Sequence, residues 1–366
     1  MNILEKRLLV LPRYDRLGAS SRLRMLQYLP WLKAAGFEMT VAPLFSDDYV
    51  LGLQRSKRHI IEVVRAYVAR IKTLLASGEY HLLWIEKELL PWLPAPLELA
   101  LLGSTVPYLL DYDDAVFHYY DLHRNSLVKS LLGHKHRKLI GGAALIIAGN
   151  SYIADFAKRA GAKRIEIIPT VIDLRRYPEQ KRVDVREQSE PPQVGWIGQR
   201  STASNLSVYK NLFKRFSAEG QAQFSAIGID AQLFGLPMQS IPWSEESEVA
   251  DIASFDIGIM PLVDEPFERG KCGYKLIQYM ACGLPVVASP VGVNCQIVEH
   301  GVNGFLAETL EEWEQALGTL LADADLRQRM GMAGRLKVEQ KYSVQVTAPR
   351  LIELFRDFSE VTAKGA

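Results

Sequence analysis

The constraint that narrows the fold most is an alternation that runs twice along the chain. Apolar runs RLLVLP (7–12), MTVAPLF (39–45), HLLWIEKE (81–88), VPYLLDYDDAVF (106–117), ALIIAGN (144–150) and RIEIIP (164–169) read as strands. Between them lie segments with helical periodicity. One is capped at Ser20 or Ser21 and carries Leu23, Leu26, Leu29 and Leu32. A second carries Ile60, Val64, Tyr67, Val68, Ile71, Leu74 and Leu75, and a third starts near Asn150 or Ser151. The pattern lapses in YPEQKRVDVREQSEPPQ (177–193), polar and proline-bearing as a linker is. It resumes with VGWIG (194–198), a helix around 205–218, FSAIG (224–228), MQSIPW (238–243), a helix near 245–253 and FDIGIMP (255–261). Strands joined by helical crossovers form parallel sheets. The expected class is therefore α/β, two doubly wound Rossmann-like domains facing each other across a cleft, with ligands where strand ends meet helix starts.

A chain of 366 residues is long enough for two such cores. No run of apolar residues reaches spanning length, and Glu5, Lys6 and Arg7 interrupt any leader-like start, so a cytoplasmic protein is expected. Cys272, Cys282 and Cys295 lack paired spacing and read as small apolar residues. The net charge of +1 conceals a split. Residues 1–175 hold 24 Lys and Arg against 17 Asp and Glu, and the remainder holds 19 against 25. The first part thus favours anionic surfaces. Arg55, Lys57, Arg58, Arg65, Arg70 and Lys72 crowd one amphipathic helix, a solvated outer face or a contact for an anionic membrane.

Three stretches can carry chemistry. Gly18 and Ala19 precede a helix, where free backbone N–H groups face an anion or where the loop merely connects. In VGWIGQRS, Gly198 stands at a strand tip with Arg200 and Ser201 beyond it, suited to phosphate oxygens or to simple capping. In ERGKCGYKLIQYMACGLPVVAS, Arg269 and Lys271 alternate with Gly270 and Gly273 just before a helix from Tyr274, suited to a diphosphate or simply a well-made helix and strand with incidental basic residues. That helix is expected to turn Leu276, Ile277, Met280 and Ala281 to the core, leaving Lys275 and Gln278 opposite it or at its edge. Asp113 and Asp114 at a strand end can hold a metal, orient an acceptor or cap the next segment. His118 can contact sugar or acceptor, or simply pack.

KLIQYMACGLPVVASPVGVNCQIVEHGVNGFL resembles the signature of GT-B glycosyltransferases of the family-four type, and RIEIIPTVID, VGWIGQRS and DYDDAVF resemble other segments of it. QKYSVQVTAPRLIELFRDF is similar to the family's terminal helix. The resemblance implies an acceptor-binding domain at 1–176, the linker 177–193, a nucleotide-sugar domain at 194–345 and a helix at 346–366 that crosses back. It implies sugar transfer from a nucleotide diphosphate sugar to a hydroxyl of a glycan or lipid-linked acceptor, with retention, in polysaccharide building. Arg200, Lys271 and helix amides would stabilise the leaving diphosphate, with no metal, no other cofactor and no nucleic acid. Donor contacts are expected at Gly198, Arg200, Ser201, Trp243, Lys271, Cys272, Gly273, Tyr274 and Gln278, acceptor or phosphate contacts at Gly18, Ala19 and Asp114, and catalytic groups at His118, Asp113 and Glu268. The family's two glutamates align with Gly270 and Gln278, so sugar binding passes to the Lys271–Tyr274 backbone, Glu265 or Glu268. Peripheral attachment at the inner face of the cell membrane is expected through residues 55–72 and 133–138. A sugar-nucleotide epimerase of the same fold and a non-catalytic nucleotide-sugar binder are the alternatives.

Overall fold

A computed structural model describes residues 6–54, 60–103, 106–178 and 190–363. Its contacts divide the chain into two units. The first runs to Thr170 and includes Gly270–Cys272 and the stretch from Thr347 onward; the second holds Val171–Arg269 and Gly273–Val346.

The first unit is built on a parallel sheet ordered β2-β1-β3-β4-β5-β6. Its strands are β1 (Lys6–Leu11), β2 (Phe37–Val41), β3 (Leu82–Glu86), β4 (Tyr108–Tyr112), β5 (Leu145–Ala148) and β6 (Ile165–Ile167). Every residue of β3, β4 and β5 is buried, which is why these runs are apolar without alternation. Parallel order brings the strand ends together, so Glu86 at the end of β3 lies at one edge of the sheet with Arg13, Asp113 and Gly149, which follow β1, β4 and β5. The helix Val344–Ala363 supplies Phe355, whose ring lies 5.0 Å from Trp84, and Thr347, whose hydroxyl is 2.7 Å from that of Tyr28.

The second unit holds a parallel sheet ordered β12-β11-β10-β7-β8-β9. Its strands are β7 (Gln193–Ile197), β8 (Gln223–Ile227), β9 (Gln239–Ile241), β10 (Ile257–Met260), β11 (Val286–Ala288) and β12 (Gly304–Leu306). Trp196, Phe213, Ile259, Val287 and Trp313 are among its buried core.

Several expectations are corrected. The first helix is three pieces, Ala19–Arg24, a 3-10 turn Leu26–Tyr28 and Leu29–Ala34, because Pro30 has no N–H for a continuous ladder. The helix expected around 205 begins as a 3-10 segment, Arg200–Tyr209, and becomes α-helical over Lys210–Ala218. Arg70 does not join the solvated face of Ile60–Leu75; it is buried, and its Nη2 donates to Pro12 O (2.8 Å) and Ala42 O (3.0 Å). In the 133–138 stretch Lys135 and His136 are buried as well, held by Glu88, Glu98 and Tyr112. Of the basic set on the 55–72 stretch, Arg55, Lys57 and Arg58 lie outside the described residues, as does most of the 177–193 linker. Among the described residues no helix is long and apolar enough to cross a membrane.

Candidate functional site

In the second unit the sequence places a glycine at the end of β7 and another at the start of the helix Tyr274–Ala281. Gly273 caps that helix at φ +63°, and a Cβ there would lie 2.3 Å from Ile297 Cδ1. Gly198 follows β7, and a Cβ there would lie 2.6 Å from both Lys275 Nζ and the Trp196 ring. Lys275 is therefore the side chain beside the strand tip. Its ammonium sits 4.1 Å over the Trp196 ring and 3.3 Å from Thr202 Oγ1. Arg200 and Ser201 are exposed on the 3-10 segment, and Tyr274 is half-buried at the first helical position. A cation, an indole face, a hydroxyl and a helix start thus share one region, where positive potential is favoured by the helix dipole.

Gln278 is corrected from its expected edge position. It is 2% exposed, and its Nε2 donates to the Tyr177 hydroxyl at 3.1 Å. That hydroxyl points in turn to Glu248 Oε1 at 3.5 Å, and Trp243 Nε1 donates to Glu248 Oε2 at 2.7 Å. A buried amide must be paired, and Tyr177, about a hundred residues earlier, pairs it. Arg269 is turned outward in a two-point pair with Asp264 (2.6 and 2.9 Å), rather than joining Lys271 as a phosphate cation. Glu268 is half-buried on the short helix Pro266–Arg269, and Glu265 is exposed just before it.

In the first unit the loop Gly270–Cys272 is anchored by Asn150, whose Nδ2 donates to Gly270 O (2.8 Å) and Lys271 O (3.1 Å) while its Oδ1 caps Ile153 N. Cys272 Sγ donates to Asp113 O at 2.9 Å, and burial pushes that thiol up to about 12. A Cβ at Gly270 would lie 2.3 Å from Ala115 Cβ and 2.8 Å from Ala115 N. No glutamate fits there, which is the physical reason for the departure at this position. Lys271 itself is half-buried.

Asp113 is buried and paired with Lys87 Nζ at 2.7 Å. Burial pushes its carboxyl up, but the Lys87 ammonium and hydrogen bonds from Lys87 and Ser20 prevail and hold it below the usual carboxylate range. Asp114 is half-buried beside it. His118 is held at both nitrogens, Nδ1 to Asp121 Oδ1 (2.8 Å) and Nε2 to Tyr152 OH (2.9 Å). Gly18 is buried at the start of Ala19–Arg24, with Ala19 half-buried after it. Among the described residues no three His, Cys, Asp or Glu side chains converge as a metal set.

Sequence reading missed Lys275, Lys87 and Tyr177 as parts of these arrangements. Lys275 had a local signal, one step inside a glycine-capped helix. Lys87 and Tyr177 had none, since their partners are distant in sequence.

The chain is 25% identical over 232 residues, 56% of its length, to D-inositol 3-phosphate glycosyltransferase of Pseudarthrobacter chlorophenolicus. It spans about half that relative, 54% of it. Among solved structures it is similar to sucrose-phosphate synthase from Thermosynechococcus elongatus (TM-score 0.72, 16% identity, 98% of this chain and 100% of that one). Anabaena HepE in complex with UDP and glucose aligns at TM-score 0.69 and 15% identity, over 96% of this chain and 100% of that one. These likenesses show the fold, GT-B with two Rossmann-like parallel sheets. Residues 241–323 match the model of the family "Glycosyl transferases group 1".

Proposed function

We propose that the protein transfers a sugar from a nucleotide diphosphate sugar to an acceptor hydroxyl in glycan or polysaccharide synthesis. The observation that carries this is Lys275, poised between Trp196 and Thr202 beside a glycine where no side chain fits and at a helix start. That combination suits a diphosphate leaving group, whose developing charge cations and helix amides stabilise. On this reading Lys275, Arg200, Ser201 and the Gly273–Tyr274 helix start hold phosphate, Lys271 adds charge, and Trp243 serves the nucleoside, while Gln278, buried against Tyr177, supports the helix beneath it. Asp113, Asp114 and His118 serve the acceptor, and Gly18 with Ala19 lines its approach. Glu268 or Glu265 faces the sugar in place of the family's glutamate. Transfer proceeds with retention and without a metal. HepE, with UDP and glucose bound, supports the donor class.

Attachment to the inner membrane face is part of the proposal. Ile60, Ile61, Val64, Val68 and Leu75 are exposed on one helix that also exposes Arg65 and Lys72, an apolar and cationic combination suited to an anionic lipid surface.

Gly270 gives a second reading its ground, since a nucleotide-sugar binder without transferase activity has no use for a glutamate there. Thermal denaturation with a panel of nucleotide sugars tests the donor site common to both. A ligand at a hundred times its Kd adds about 2.7 kcal/mol, and Lys275→Ala should abolish that gain. A panel in which none stabilises the wild type would sink both readings. An epimerase would instead convert the stabilising donor into a new nucleotide sugar with no acceptor present.

A further inference from the structure

The first unit carries a strained residue at the edge where its strands end. Lys87 follows β3 with φ +62°, one of two non-glycine residues among those described with positive φ. Glu88 N donates to Glu86 O across it at 2.7 Å, closing the rare positive-φ kind of γ-turn. A glycine would meet that backbone requirement without cost, and L-residues kept in such a conformation are held by their surroundings. What the lysine adds is its ammonium. Nζ lies 2.7 Å from Asp113 Oδ1, 3.0 Å from Ser20 Oγ and 3.7 Å from Glu86 Oε1, with the side chain 6% exposed. Glu86 is itself fixed from two sides, its Oε2 accepting from Arg13 N (2.8 Å) and Ser21 Oγ (2.5 Å). Its Oε1 and the Nε of Arg13 are buried with no hydrogen-bond partner among the described residues. Buried polar atoms are normally satisfied, so an acceptor and a donor left open at the ends of two neighbouring strands mark a place built for polar groups of a ligand.

We propose that Lys87 is a positioning residue of the acceptor subsite, holding Asp113 toward an acceptor hydroxyl while Glu86 and Arg13 form the subsite's polar floor. This rests on the transferase reading above and adds to it the group that orients Asp113. The ligand is a polyol or sugar hydroxyl, because the floor offers carboxylate acceptors and a guanidinium donor side by side. Asp113 is faced by Lys87 and Glu86 from the end of β3, Ser20 and Arg24 from the helix Ala19–Arg24, Asp111 and Asp114 from its own strand, and Cys272 from the 270–272 loop. Of the two cations in that set, Lys87 is the one in direct ion-pair contact, while Arg24 Nε is bound to Asp111 Oδ1 at 2.8 Å. Taking Lys87 away therefore leaves Asp113 easier to protonate and free to turn.

The experiment uses whichever nucleotide sugar the wild type turns over, with octyl glycosides as the acceptor probe and donor hydrolysis, water as acceptor, as a second readout. Lys87→Met should raise the acceptor KM about tenfold, equivalent to one lost charged hydrogen bond, with donor KM unchanged. The acid limb of kcat/KM should move to higher pH. Lys87→Arg should recover part of both effects, and Lys87→Met with Asp113→Asn should be no worse than Asp113→Asn alone, as coupled residues behave. Should Lys87→Met fail to fold, Ser20→Ala, which removes the hydroxyl that meets both Lys87 and Asp113 but no charge, must show the same split with a smaller rise. Equal loss in donor and acceptor KM, or an unmoved acid limb in a folded variant, overturns the inference and leaves the transferase reading standing. A folded wild type that turns over no nucleotide sugar overturns both.

Discussion

At Gly270 the distance to Ala115 decides what the position can carry. With Ala115 Cβ 2.3 Å and Ala115 N 2.8 Å from where a Cβ would stand, Gly270→Ala forces the new methyl into the Cβ and backbone of Ala115. Overpacking of this kind costs about 1–3 kcal/mol, so the urea midpoint should fall, and Gly270→Glu should not tighten donor binding. An alanine variant as stable as the wild type would contradict the packing. His136 offers a second test. Burial pushes its imidazole down from 6.5 to about 4, beside Tyr112 OH at 2.8 Å. The unfolded chain takes up that proton first, so this contribution is complete above pH 6.5 and disappears as pH falls toward 4, a loss of about 3 kcal/mol. His136→Asn should flatten unfolding free energy across that window; an unchanged pH slope would show that His136 is not the titrating group. Neither feature was legible in the sequence beyond its residue type. A glycine in place of a glutamate is visible as a departure, but its cause is Ala115, and a histidine in a basic run reads as surface until its tyrosine partner is located.

Elements were more legible than the contacts between them. Strands β1 to β10 were foreseen from apolar runs, because buried parallel strands need no alternation, whereas β12 was not. Helix continuity was not, since Pro30 divides a periodic stretch whose leucines alone suggest one helix. The helix Ser151–Arg159 shows how an element sets a loop. Asn150 caps it through Oδ1 and holds Gly270 and Lys271 through Nδ2. Asn150→Asp keeps the cap and loses the loop contacts, whereas Asn150→Ala loses both, with the cap alone worth about 1 kcal/mol. Donor affinity should therefore fall in both variants and helix stability chiefly in the second. Equal donor affinity in all three proteins would detach this loop from the donor. For the helix Ile60–Leu75, sedimentation with anionic vesicles should be stronger than with neutral ones and should be lost in Val64→Asp/Val68→Asp. Equal weak binding to both vesicle types would remove the membrane from the account. Periodicity identified that helix and its cations but could not say that Arg70 faces inward, because the carbonyls it caps follow β1 and β2.

At the scale of the whole molecule the fold was readable because two alternating blocks admit few other architectures, and the proposed activity is sugar transfer from a nucleotide diphosphate donor. The proposed donor region was readable in part: Gly198 and Gly273 announced themselves as glycines at a strand end and a helix start, while Lys275 emerged only once β7 and that helix were side by side. The most direct measurement is release of nucleoside diphosphate from a panel of nucleotide sugars, with and without octyl glycosides, by wild type and by Lys275→Ala. At least one donor should be consumed in step with glycoside product, and Lys275→Ala should slow this at least about a hundredfold, as loss of a charge-stabilising group does. A folded wild type that binds a nucleotide sugar yet neither transfers nor hydrolyses it, or a Lys275→Ala variant as active as the wild type, would contradict it.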